Sequence, residues 1–270
     1  MFKLIYYPVS VLVILLGFVC NNAQELKPGP VDSSHPIIQQ FAAKETENLQ
    51  TRNEFSFTRD ADIVTFNDFG AINGRYHRVS DFVFDNQGER VEKITYFPVP
   101  SPDLQRRITN EDLDDLGGIQ PFALEASKIQ AYDFIYVGKE KIDEIDTYVF
   151  DVGPKVMPKK VSERFFKGRI WVDDRDLQIV KVKGKGVPEG EQRFPTFETY
   201  REQISDRQGY YYWFPTYTYA DDVLVFPKGD TLHIRMIIKF SNYRRFMGRI
   251  KIVEDAPEPP VKPPVVPKKP

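Results

Sequence analysis

Two hydrophobic periods divide this chain. Between His35 and Gln50 the apolar positions Ile37, Ile38, Phe41, Ala42 and Leu49 recur at spacings of three, four and seven, which predicts a helix with one apolar stripe. Ser34 stands where a capping side chain accepts a backbone N–H, and Pro36 just inside it suits the first helical turn. Past residue 54 the period falls to two, so successive side chains face opposite sides of a sheet. Phe55, Phe57, Ala61 and Ile63 share one parity, and Tyr76, Phe82 and Phe84 share another, with polar turn residues from Asn67 to Gly74 between them. Asn86-Gln87-Gly88 then leads into Val91 to Phe97, which makes a three-stranded meander.

The same period returns in the second half at Tyr132 to Lys139, Thr147 to Val152, Glu198 to Ile204 and Tyr210 to Phe214. It is cleanest from Leu232 to Tyr243, where only Ile237 breaks the alternation, so one face is buried and the other wet. From Arg164 to Gly186 two such runs flank Asp173, Asp174, Arg175 and Asp176, whose short polar side chains bond their own backbone in turns. A calcium reading of this acidic turn lacks the glycine and terminal glutamate of a calcium loop. Between Ser101 and Lys128 the pattern stops, and Pro102, Gly117-Gly118 and Pro121 divide that stretch into short helices covering one face or mouth of the sheet. Ten or so long antiparallel strands with helical segments predict a mainly β fold, a strongly curved sheet or unclosed β-barrel covered by helices.

The ends of the chain add a location. Lys3 precedes an apolar run from Val9 to Val19, followed by small or polar residues at Cys20 to Ala23, which reads as a signal peptide spanning 1–23. Its apolar run is too short for a membrane span. Cys20 raises lipidation, but Val19 and Gly17 occupy positions where a lipoprotein signal carries a small residue and a leucine. Cleavage after Ala23 leaves no cysteine, so stability rests on the core of one domain, residues 24–254. From Asp255 to Pro270 proline dominates, giving a disordered tail that is a solvated end, a ligand for a protein partner, or a spacer toward an envelope component.

Composition then narrows the chemistry. Aromatic residues make up 14% of the chain, enough to build a large pleated core, and the net charge of −2 gives no reason to expect nucleic acid. Nucleophile-elbow, zinc-protease, phosphate-loop and dinucleotide motifs are missing. The three histidines, His35, His77 and His233, are far apart and not at metal-ligand spacing. No enzyme, metal or cofactor is expected, and the protein is expected to be a monomer.

One resemblance rests on residues already quoted. Phe166, Gly168, Arg169, Ile170, Trp171, Val172, Asp173, Asp176, Gln178, Ile179, Val180 and Lys181 resemble the LolA-like carriers that sort bacterial outer-membrane lipoproteins, and Tyr212-Trp213-Phe214-Pro215 with Ala220-Asp221-Asp222 resembles the late strands of uncharacterised members of the same broad group. The likeness implies an unclosed barrel whose apolar interior shelters lipid or lipoprotein acyl chains in the periplasm. Each CH₂ withdrawn from water is worth about 0.8 kcal/mol, so such a carrier needs a dry concavity. On that reading Phe41, Phe122 and Leu124, on helical segments, are lid residues. Trp171 and Trp213 either line the cavity or are strand aromatics filling a core; by its parity Trp171 lies on the outer surface or beneath a helix. The rival expectation is an envelope interaction module whose concavity is filled by its own aromatics and which holds no lipid.

Overall fold

The structure, a computed structural model, describes residues 26–102, 104, 124–160, 163–189 and 193–246. The leader 1–23, the tail 255–270 and Phe122 lie outside these residues. The chain forms β1 (Gly29–Val31), α1 (Pro36–Arg52), β2 (Phe55–Phe66), β3 (Ile72–Phe84) and β4 (Arg90–Tyr96). It continues with a 3₁₀ turn at Ile129–Ala131, then β5 (Tyr132–Ile142), β6 (Ile145–Pro154), β7 (Phe165–Asp173), β8 (Ile179–Val187), β9 (Phe197–Ser205), β10 (Tyr211–Val225) and β11 (Thr231–Arg245). All eleven strands join one antiparallel sheet in the order β1-β5-β6-β7-β8-β9-β10-β11-β2-β3-β4. Among the described residues no helix is long and apolar enough to cross a membrane.

The alternating positions do what their period demands. Phe57, Ala61 and Ile63 of β2, Phe134 and Tyr136 of β5, Phe150 and Val152 of β6, Phe166 and Ile170 of β7 and Ile238 and Phe240 of β11 form one buried cluster on what we call the inner face. Helix α1 lies on this face and adds Ile38, Phe41 and Ala42 to it. Its N-terminal cap is His35 rather than Ser34. The His35 Nδ1 accepts the Ile37 N–H at 3.3 Å, while the Ser34 N–H is held by Asp32 at 2.8 Å.

Three hairpin turns use one device. Asn67, Asp85 and Asp206 each accept N–H groups two and four residues ahead, and Gly70, Gly88 and Gly209 follow at positive φ of 76°, 86° and 83°. An L side chain is strained there, so glycine closes the turn at no steric cost.

The expected strongly curved half-barrel under several helices is not what forms. The sheet is open and not strongly curled, with β1 and β4 at its two ends among the described residues, and besides α1 those residues include the short 3₁₀ turn and helical positions at Pro102 and Leu104. A period of two specifies a one-sided sheet but says nothing of its curvature, and closure requires the outermost strands to pair. Here β1 offers only three residues and β4 is exposed along most of its length. The expected helices between Ser101 and Lys128 fall mainly on residues outside the description. Strand β10 also runs to Val225, well past the expected Phe214. It passes Pro215 through a register shift between Pro215 and Tyr217, the kind of irregularity that lets proline sit within a sheet.

Candidate functional site

The underside of α1 has two halves. Its first turns are apolar: Phe41 meets Phe134 at 5.8 Å and Phe150 at 5.9 Å between ring centroids. Toward its C-terminus the buried residues are Glu45, Asn48 and Arg52, spaced so that they share the face turned to the sheet. Glu45 accepts two hydrogen bonds from Arg201 of β9, at 2.6 and 2.7 Å, and Asn48 donates to Gln178 at 2.5 Å. Arg52 is only 6% exposed, yet its Nε and Nη1 have no hydrogen-bond partner.

A second arginine stands beside it. Arg90 of β4 donates from Nη1 to the Arg52 carbonyl at 3.1 Å, and both guanidinium carbons lie 5.6 Å from the centre of the Phe57 ring. Burial pulls the Arg52 guanidinium below its ordinary pKa, opposed by Tyr243 and assisted by Arg90 and Arg201. The Tyr243 hydroxyl, which donates to the Pro215 carbonyl at 2.7 Å, is pushed up by burial, while Arg52, Arg201 and Arg90 pull it down. Arg52, Arg201 and Arg90 are thus near enough to act on the Tyr243 phenol, and Arg201 is paired with Glu45.

On the inner face toward β4 the apolar row outruns the helix. Phe82 stacks on Phe57 at 4.6 Å, and Phe97 meets Tyr76 edge-on at 5.3 Å. Ile94 pairs with the buried Ser80, which pairs in turn with Arg59 between the inward Phe57 and Ala61, so Ile94 is on this face too. Ile94 is 50% exposed and Phe97 43%. Arg59 and Arg78 share Glu92 beside them, at 2.9 and 2.7 Å.

The outer face carries a separate cluster. Trp171, Trp213, Val149 and Val180 are buried together there, on the side of β7 opposite Ile170 and Val172. The Trp171 indole donates to Glu140 at 2.7 Å and that of Trp213 to Asp176 at 3.1 Å. Beside Trp171 opens a groove of about 860 Å³, lined by Lys167, Arg169, Lys181, Lys183 and Lys185 with Asp151 and Glu198 among them. Burial disfavours the ionised Glu198, but hydrogen bonds from Lys183 and Lys181 outweigh it and hold the carboxyl at about 2.

The structure thus separates the residues singled out in the sequence. Phe41 and Leu124 belong to the inner core, whereas Trp171 and Trp213 belong to the outer cluster. The acidic turn works as a turn: Asp173 and Asp176 accept the N–H groups of Arg175 and Gln178, and Asp174 is paired with Lys139. His77 and His233 each bond an aspartate, Asp60 at 2.9 Å and Asp221 at 2.6 Å. Among the described residues no three His, Cys, Asp or Glu side chains stand close enough to hold a metal. Sequence reasoning missed the arginine group. Its one signal was polar residues at 45, 48 and 52, continuing the spacing of the apolar stripe.

No family model matches the sequence, and no curated protein matches it. Two crystal structures are weakly similar in fold. One is a DUF1329 family protein from Desulfovibrio piger, at 16% identity over 81% of this chain and 95% of that one, with a TM-score of 0.39. The other is a LolA superfamily protein from Nitrosomonas europaea, at 16% identity over 77% of this chain and 95% of that one, with a TM-score of 0.35.

Proposed function

We propose that this is a non-enzymatic binding protein of the bacterial periplasm that takes an acyl-bearing ligand, a lipid or lipoprotein, against the inner face of its sheet. The observation that carries the reading is the apolar row from Phe57 through Phe82 to Ile94 and Phe97, buried at one end and half-exposed at the other. An acyl chain laid along it would extend the core, each covered CH₂ contributing about 0.8 kcal/mol. The leader-like N-terminal pattern supports the location.

The test is native mass spectrometry of the leaderless protein purified from an envelope fraction, with extraction and identification of bound lipid, alongside uptake of a fluorescent fatty acid. Bound lipid near one per protein, and uptake lost in Ile94→Glu, are expected. A ligand-free mass with no uptake overturns the proposal. It would favour a second reading, an envelope interaction module, whose support is the filling of the face under α1 by Phe41, Phe134 and Phe150. On that reading a protein partner is lost when residues 255–270 are removed.

A further inference from the structure

The arginine group under the C-terminal half of α1 holds more positive charge than it neutralises. Arg52 and Arg201 lie near one carboxylate, Glu45, which is already engaged in both of its bonds to Arg201, and Arg90 stands beside Arg52. Among the described residues neither Arg52 nor Arg90 has a carboxylate partner. Arg90 spends its bonds on the Arg52 carbonyl and on Asn53 Oδ1, and Arg52 leaves two buried nitrogens unbonded. The Arg201 Nε is buried and unbonded as well. Water can satisfy a donor but cannot balance a charge, and buried charges in folded proteins are paired. Guanidinium groups present forked donors that match the oxygens of a phosphate or carboxylate, and the rings of Phe57 and Phe214 pack beside Tyr243 next to them.

We infer that Arg52, Arg90 and Arg201 form a binding site for a phosphate group, free or as the headgroup of an amphiphile. Charge selects phosphate over carboxylate: three cations against Glu45 leave an excess of two, which a phosphate monoester, carrying about −1.5 to −2 near neutral pH, balances and a carboxylate does not. The site adjoins the apolar row, because Arg52 and Arg90 both lie over Phe57, which stacks on Phe82. A phosphorylated amphiphile held here would lay its chain toward Ile94. That placement rests on the acyl-ligand reading, whereas the anion site does not.

Thermal unfolding of the leaderless protein with inorganic phosphate, at fixed ionic strength against chloride, tests the site directly. A saturable rise in Tm is expected, with affinity reduced tenfold or more in Arg52→Met and in the more exposed variant Arg90→Gln. No phosphate-specific rise, or the same rise in both folded variants, overturns the assignment. Dihexanoyl phosphatidic acid, used as a monomer, separates the two sources. Binding at least tenfold tighter than phosphate supports the headgroup. Equal affinity supports a free-phosphate site and refutes the chain placement alone.

Discussion

Glu45→Ala should be among the most damaging single substitutions in this protein. The pair it breaks is bidentate, at 2.6 and 2.7 Å, and the side chains of Arg201 and Glu45 are 5% and 4% exposed. Removing one partner of a buried pair leaves the other charged and unpaired, at a cost of about 3–5 kcal/mol. The upper half of that range applies, because Arg201 would then lie near Arg52, two of whose nitrogens already lack partners. A cost of this size is a large share of the roughly 5–15 kcal/mol that holds most domains folded. At about 2–4 °C per kcal/mol for a domain of this length, Tm should fall by roughly 8–20 °C. Urea titration followed by far-ultraviolet circular dichroism measures the loss. The double variant Glu45→Leu/Arg201→Met removes both charges together and should recover most of the stability. A loss under about 1 kcal/mol in Glu45→Ala, or a double variant as unstable as the sum of the singles, would refute the reasoning.

Two further substitutions probe the sheet. Gly184→Ala should destabilise by about 1–3 kcal/mol in the same titration, because its new methyl would stand 2.5 Å from the Lys167 carbonyl oxygen and 2.6 Å from the Phe166 ring; a neutral outcome would mean that β7 and β8 part freely. Glu198→Gln should flatten the acid limb of the stability curve. The folded carboxyl sits near 2 against 4.5 unperturbed, so its contribution is complete above pH 4.5 and drains away as the pH falls toward 2. For a side chain one-quarter exposed this amounts to roughly 2 kcal/mol at most, and parallel acid limbs in the two proteins would show that the lysines do not stabilise it.

Strands with strict alternation were legible, because burial of one face writes itself into every second residue; β2 and β11 are of this kind. Strand β10 was legible only to Phe214, since Pro215 and Asp221-Asp222 resemble breakers until a register shift and the hydrogen bonds of the two aspartates accommodate them. Asp221, for example, bonds His233 and Arg235 across the strand gap. Sheet curvature was not legible, being a matter of how edges pair rather than of which residues alternate. The arginine group escaped for another reason. Glu45 and Arg201 stand 156 residues apart, and a polar residue on a helix stripe looks like a solvated position until its partner across the fold is known.

The join between β11 and β2 has a consequence in time. Arg245 holds Glu54 across 191 residues of chain, and β2, among the first strands to be made, has the last strand as one of its two neighbours. Contacts this distant in sequence slow folding, because a long loop must close before they form. A ribosome delivers β2, β3 and β4 long before the strand that docks them onto the remaining sheet. Until β11 emerges, that meander carries an unpaired β2 edge lined with Phe55, Phe57 and Ile63. For most of its synthesis the nascent chain thus exposes an apolar strand edge that its own last strand has yet to cover.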